Sequence, residues 1–138
     1  MNLLKLCKII EEELKDNFDS FELLGDAYDE AGGSWFFALE EENVAGFVSC
    51  ENNKENLNVP TVSIAISLNY TCDYSMEELL KLFDLNGEFI NAALSIQKID
   101  EDTKRIFINR RLLAKNLDIK SIRTHVDDLI GQANIFLG

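Results

Sequence analysis

Residues 61–70, TVSIAISLNY, alternate without a break. Val62, Ile64, Ile66 and Leu68 fall on one side, and Ser63, Ala65, Ser67 and Asn69 on the other. Successive side chains of an extended chain point to opposite faces. One face of this strand is therefore core, and the other is small and mildly polar, suited to solvent or to the face of a partner. Any fold for this chain has to supply a sheet with two unlike faces.

The flanking segments supply the rest of that sheet and its cover. Leu3, Leu6, Cys7, Ile10 and Leu14 recur at helical spacing, and the charges fall largely on other faces, which predicts an amphipathic helix ending near Asn17. Ala31-Gly32-Gly33 is a turn signal. SWFFALE and VAGFVSC read as strands joined by Glu41-Glu42-Asn43, with FELLGDAY as a further partner strand and ENNKENLN as a loop. Ser75-Met76-Glu77-Glu78 fits a capping box ahead of a short helix stopped by Asn86-Gly87. FINAALSIQKI then alternates through Ile90, Ala92, Leu94 and Ile96. After the turn at 100–103, KRIFINRRLL puts Ile106, Ile108 and Leu112 on one face and Arg105, Phe107, Asn109 and Arg111 on the other. Arg110 falls on the apolar face, where its stem can lie over the core while its head reaches water. Asp118 is an N-cap for a last helix with a wide apolar stripe that includes Ile122, Val126, Leu129, Ile130 and Ala133.

Hairpins dominate, and helices and strands do not alternate regularly. The expectation is a single α+β domain over residues 1–138, an antiparallel sheet with helices on one face. Its element order reads α-β-β-β(-β)-α-β-β-α.

Composition narrows the function classes. The net charge is −12, distributed unevenly: residues 1–97 hold 5 basic and 19 acidic side chains, residues 98–138 hold 8 and 6. So acidic a surface repels phosphate backbones, and nucleic acid is not an expected partner. Charges interrupt the apolar run of MNLLKLCKIIEEELKDNF, and no window approaches the roughly 18 apolar residues of a membrane helix. A cytoplasmic protein without a secretory leader or a membrane span is expected. Cys7, Cys50 and Cys72 are odd in number and widely spaced, which fits buried free thiols in a reducing compartment rather than zinc ligation. His125, the one histidine, has no second ligand beside it in the sequence. Carboxylates are abundant but form no pattern tied to acid–base work or calcium, and no phosphate loop or nucleophile elbow occurs. No enzyme activity, metal or cofactor is expected.

Two groups of residues are candidates for a contact surface. Trp35, Phe36, Phe37 and Phe47 cluster on the first hairpin, and adjacent strand residues cannot share a face. Some aromatic surface is left over, to be covered by a helix, a second subunit or a ligand chain. Arg105, Phe107 and Arg111 gather on the outer face of the C-terminal hairpin, either as a partner interface of the arginine–aromatic kind or as a solvated face balancing nearby carboxylates.

The segments SMEELLKLFDLNG, FINAALSIQKIDEDTKRIFINRRLL and LDIKSIRTHVDDLIGQANIFLG resemble the C-terminal half of the Tir chaperone-like fold, the group of class I type III secretion chaperones and YbjN-type proteins. Leu85-Asn86 stands near that family's Leu-x-Asn helix end, and Leu117-Asp118, Ile122, Leu129 and Ala133 match the spacing of its closing helix. ENNKENLN and the Trp35-Phe36-Phe37 run are departures from the pattern. The resemblance implies no catalytic residues. It implies a homodimer that binds an unfolded segment of another protein, by strand addition or in an apolar groove. The alternative from a different class is an acidic, immunity-type inhibitor of a basic toxin enzyme, held by carboxylates in a salt-sensitive complex.

Overall fold

The computed structural model describes residues 2–53, 59–73, 75–98 and 100–137. Helix α1 (Leu3–Leu14) is followed by strands β1 (Ser20–Leu23), β2 (Gly32–Leu39), β3 (Val44–Asn53) and β4 (Val59–Asp73). Helix α2 (Met76–Asn86), strands β5 (Ala93–Lys98) and β6 (Thr103–Leu113) and helix α3 (Ile122–Leu137) complete the order. The six strands form one antiparallel sheet in the order β1-β2-β3-β4-β6-β5. This is the α+β architecture the alternation predicts, with the optional fourth strand present before α2.

Register fixes the two faces. Trp35, Val48, Ile64 and Arg110 stand side by side across four strands, as do Phe37, Gly46, Ile66, Ile108 and Leu94 across five. These rows lie under the helices. Leu3, Leu6, Cys7, Ile10 and Leu14 of α1 and Ile122, Val126, Leu129, Ile130 and Ala133 of α3 are buried in one cluster with them. Leu82 of α2 closes a smaller cluster over Ile106. Gly46 is required where it sits, because a Cβ there would run into the Phe37 ring and the Ala65 carbonyl.

Local chemistry sets the element ends. The Asn2 side chain accepts the Lys5 N–H at 2.8 Å, and Ser75 Oγ accepts that of Glu78 at 3.2 Å, each using a free donor of a first helical turn. Asp118 caps a single 3-10 turn, Ile119–Ser121, that leads into α3. Helix α1 stops at Leu14, three residues before the expected Asn17.

Two expectations are corrected. Residues 89–92 do not extend β5: Phe89 turns inward against Phe136 with ring centroids 5.3 Å apart, Ile90 is 72% exposed, and Asn91 takes φ 51°. A left-handed residue breaks an extended run, and asparagine tolerates it better than most. Of the loop expected over residues 51–58, Glu51–Asn53 belong instead to β3; residues 54–58 and the Cys72 side chain lie outside what is described.

Candidate partner-binding surface

Between each pair of core-facing residues on a strand lies one that faces away from the helices. Across the sheet these form rows: Ser34, Ser49, Ser63 and Arg111; then Phe36, Phe47, Ala65 and Asn109; then Ala38, Ala45, Ser67 and Phe107. The four described side chains that β4 gives this face at 61–67 are Thr61, Ser63, Ala65 and Ser67, all small. Because β4 contributes nothing large, rings from its two neighbours lean across it. Phe47 on β3 and Phe107 on β6 meet with centroids 6.3 Å apart, although two strand spacings would separate their backbones by roughly 10 Å. Phe36 continues the row edge-on to Phe47 at 5.9 Å. On the same face the Ser63 and Ser67 hydroxyls are buried without a hydrogen-bond partner among the described residues. This face is a shallow aromatic ridge over a floor of small residues, with Phe47 37% exposed.

The seven candidate contact residues divide cleanly. Phe36, Phe47, Phe107, Arg105 and Arg111 lie on the uncovered face; Phe107 is mostly covered by its neighbours, and both arginines are exposed. Trp35 and Phe37 do not, and for them the expectation is corrected. Both are 0% exposed, stacked among Phe18, Phe21 and Tyr28, and the Trp35 indole N–H reaches Glu11 at 3.4 Å. The parity that lifts Phe36 outward forces its two neighbours inward.

Sequence reasoning missed a second apolar surface. Met76, Leu80 and Phe83 project from one side of α2 and are 69%, 55% and 69% exposed, while Leu79, Leu82 and Leu85 on its other side pack inward. Leu82, Phe83 and Asn86 line a small hollow against Leu94 and Ile96 of the edge strand β5. The signal was present: outside the polar side made by Glu77, Glu78, Lys81 and Asp84, the apolar arc of α2 takes in Met76, Leu79, Leu80, Leu82 and Phe83, wider than one contact with the sheet can cover.

Arg110 departs furthest from expectation. It is 8% exposed, and its head is enclosed rather than solvated. Nε donates to the Asn91 carbonyl at 2.8 Å, and Nη2 to the Ile90 carbonyl at 3.1 Å and to Asp128 at 2.5 Å. Nη1 lies 2.9 Å from His125 Nδ1. A guanidinium has only donors, so Nδ1 accepts and the neutral ring carries its proton on Nε2. Burial, then the Arg110 charge, lowers the His125 pKa below its ordinary value, and the Arg110 and Gln132 hydrogen bonds lower that of Asp128. Gln132 closes the lock by bonding both the N–H and the carbonyl of Ile90. The segment leading into β5 is thereby bolted to α3.

On the covered face, Cys7 of α1 and Cys50 of β3 sit with their sulfurs 3.1 Å apart, both free thiols and both buried. Burial and the neighbouring Cys50 push the Cys7 pKa up to about 12. No group of three or more histidine, cysteine or carboxylate side chains is arranged to hold a metal among the described residues. No described helix is long and apolar enough to cross a membrane.

No family model and no curated protein matches the sequence. By structure, the chain is similar to one chain of the crystal structure of the ExsC–ExsE complex, with a TM-score of 0.61 over 98% of this chain and 93% of that one. At 12% identity the likeness shows a shared fold.

Proposed function

We propose that this is a non-enzymatic, cytoplasmic, chaperone-like protein that works as a homodimer and binds an extended segment of another protein. The observation that carries the reading is the uncovered sheet face, where an aromatic row of Phe36, Phe47 and Phe107 runs beside Arg105 and Arg111. A chain lying over this face can set apolar side chains between the rings and acidic ones against the arginines. The fold shared with a chain solved in complex with another protein supports a partner-binding role. A YbjN-type protein without a client is the nearest variant.

The second copy is assigned to α2 and β5. Met76, Leu80 and Phe83 form an apolar stripe, and β5 is a sheet edge beside it; exposed stripes and edges of this kind are where chains associate. The acidic exterior elsewhere keeps such a dimer from further nonspecific contact.

The test is capture from an extract of the native host with tagged protein, washed at low and then high salt, with hydrogen exchange on the recovered complex. One dominant partner should survive high salt, slow exchange in β3, β4 and β6, and be lost at least tenfold with Phe47→Asp. A basic, folded enzyme released by salt would favour the acidic-inhibitor alternative. For the dimer, sedimentation should show wild type at twice the chain mass and Met76→Asp with Leu80→Asp as a monomer; monomeric wild type would remove that half of the proposal.

A further inference from the structure

Strand β6 is longer than the strand that covers its outer side. It runs Thr103–Leu113, and β4 pairs with it to the end, through Arg110–Ile64, Arg111–Ser63, Leu112–Val62 and Leu113–Thr61. On the other side, β5 begins at Ala93, opposite Asn109. Among the described strands, residues 110–113 therefore have a neighbour on one side only. The described hydrogen bonds bring no group from another element to their outward backbone. Strand backbone left unpaired in this way is a template for another extended chain.

The gap is built into the fold. Asn91, in its left-handed conformation, turns the incoming chain away from β6, and Arg110 fixes the turn by holding the carbonyls of Ile90 and Asn91. The far end is closed by the 3-10 turn Ala114–Asn116, by Leu117 and Ser121 at the approach to α3, and by His125 in its first turn. Between them lies a groove of about 680 Å³. Four residues of strand span roughly 13 Å, room for three or four residues of an added strand.

The groove also declares the charge of its occupant. In a chain of net charge −12, no aspartate or glutamate lines it among the described residues. Its titratable lining is Arg110, Arg111 and His125. Arg110 is engaged by Asp128, whereas exposed Arg111 makes no ion pair with the described residues. His125, its Nδ1 taken by Arg110, keeps an N–H donor at Nε2. Asn109 and Asn116 add amides, and Leu112, Leu113 and Leu117 add apolar surface.

We infer that residues 110–113 of β6 are a strand-addition site for an extended segment of a partner protein that alternates apolar and acidic residues, with a carboxylate set against Arg111. This rests on the partner-binding reading and names the chemistry of the segment. Side chains of the added strand would alternate between Leu112 and Leu117 on the helix-covered side and Arg111 on the uncovered side.

The probe is a capped five-residue peptide alternating valine and glutamate, titrated into the full-length protein, with a valine–lysine peptide as control. Backbone amide shifts and hydrogen exchange are followed by NMR. The expected result is saturable binding of the glutamate peptide, at least tenfold tighter than the lysine peptide, with exchange slowed at those amides of residues 110–113 that point away from β4. Arg111→Glu, a change at an exposed position, should reverse the preference while leaving the amide spectrum folded. Protection confined to β5 or to the amides around Phe47 overturns the groove but leaves partner binding standing. No saturable binding of either peptide overturns the groove; capture of the host partner by the same preparation then decides the broader reading separately.

Discussion

The two faces of the sheet are made by the same strands, one residue apart, and they follow different rules. Trp35, Val48, Ile64 and Arg110 form a row under the helices; Phe36, Phe47, Ala65 and Asn109 form the next row on the other side. The covered face is filled to the point that, one row along, Gly46 is needed to admit Phe37. On the uncovered row, small residues on the middle strand let two rings meet above it. Size and shape are dictated where helices press down. Where nothing presses, the sequence is free to build a surface, and it built one from phenylalanine, serine and arginine.

That contrast can be broken from the covered side first. Trp35→Ala leaves a void between α1 and the sheet and should cost about 3–5 kcal/mol, read as a fall in the urea midpoint. A loss under about 1 kcal/mol would mean the helices do not pack on this face as described.

Arg110 tests the one polar place in the covered row. Arg110→Met keeps the stem but leaves the Asn91 carbonyl and His125 without their donor and the Ile90 carbonyl with Gln132 alone. About 3 kcal/mol should be lost, since removing one member of a buried charged network strands the others. An unchanged midpoint would show that the segment before β5 is held by other contacts.

The smallest expected effect sharpens the same point by titration. The folded-state pKa of His125 lies below its ordinary 6.5, so below that pH the unfolded chain takes up a proton the folded chain refuses. Stability should therefore be greater at pH 7 and decline as pH falls through 6.5 toward the folded value. Asp128, its pKa also lowered, contributes stability that is present above its unfolded pKa and is lost, at more acid pH, as pH falls through the folded one. In His125→Gln the decline between pH 7 and pH 5.5 should flatten; an identical slope would place the sensitivity elsewhere.

Most of the fold was legible because its determinants are local. The alternation at 61–70, the Ser75 cap and the stripe of Ile122, Val126 and Leu129 each act within a few residues. The outward face of β6 could be read residue by residue for the same reason. What escaped depended on partners distant in sequence. Nothing near Arg110 reveals that two carbonyls from residues 90 and 91 will enclose its head. The break in strand pairing at Asn91 escaped too, because Ile90, Ala92, Leu94 and Ile96 keep the alternating pattern across it. The division of Trp35, Phe36 and Phe37 was half legible. Alternation required a split, but only the register against Val48 and Phe47 says which ring goes where.

The paired thiols of Cys7 and Cys50 have a practical consequence of their own. A thiol reacts as its thiolate, and here a pKa near 12 and complete burial suppress that form while α1 stays seated. Alkylation at neutral pH is then a clock for the seam between α1 and β3. Its rate measures how often helix and sheet part company, before any global unfolding is visible. The joint between helix and sheet thus carries its own gauge of that resistance.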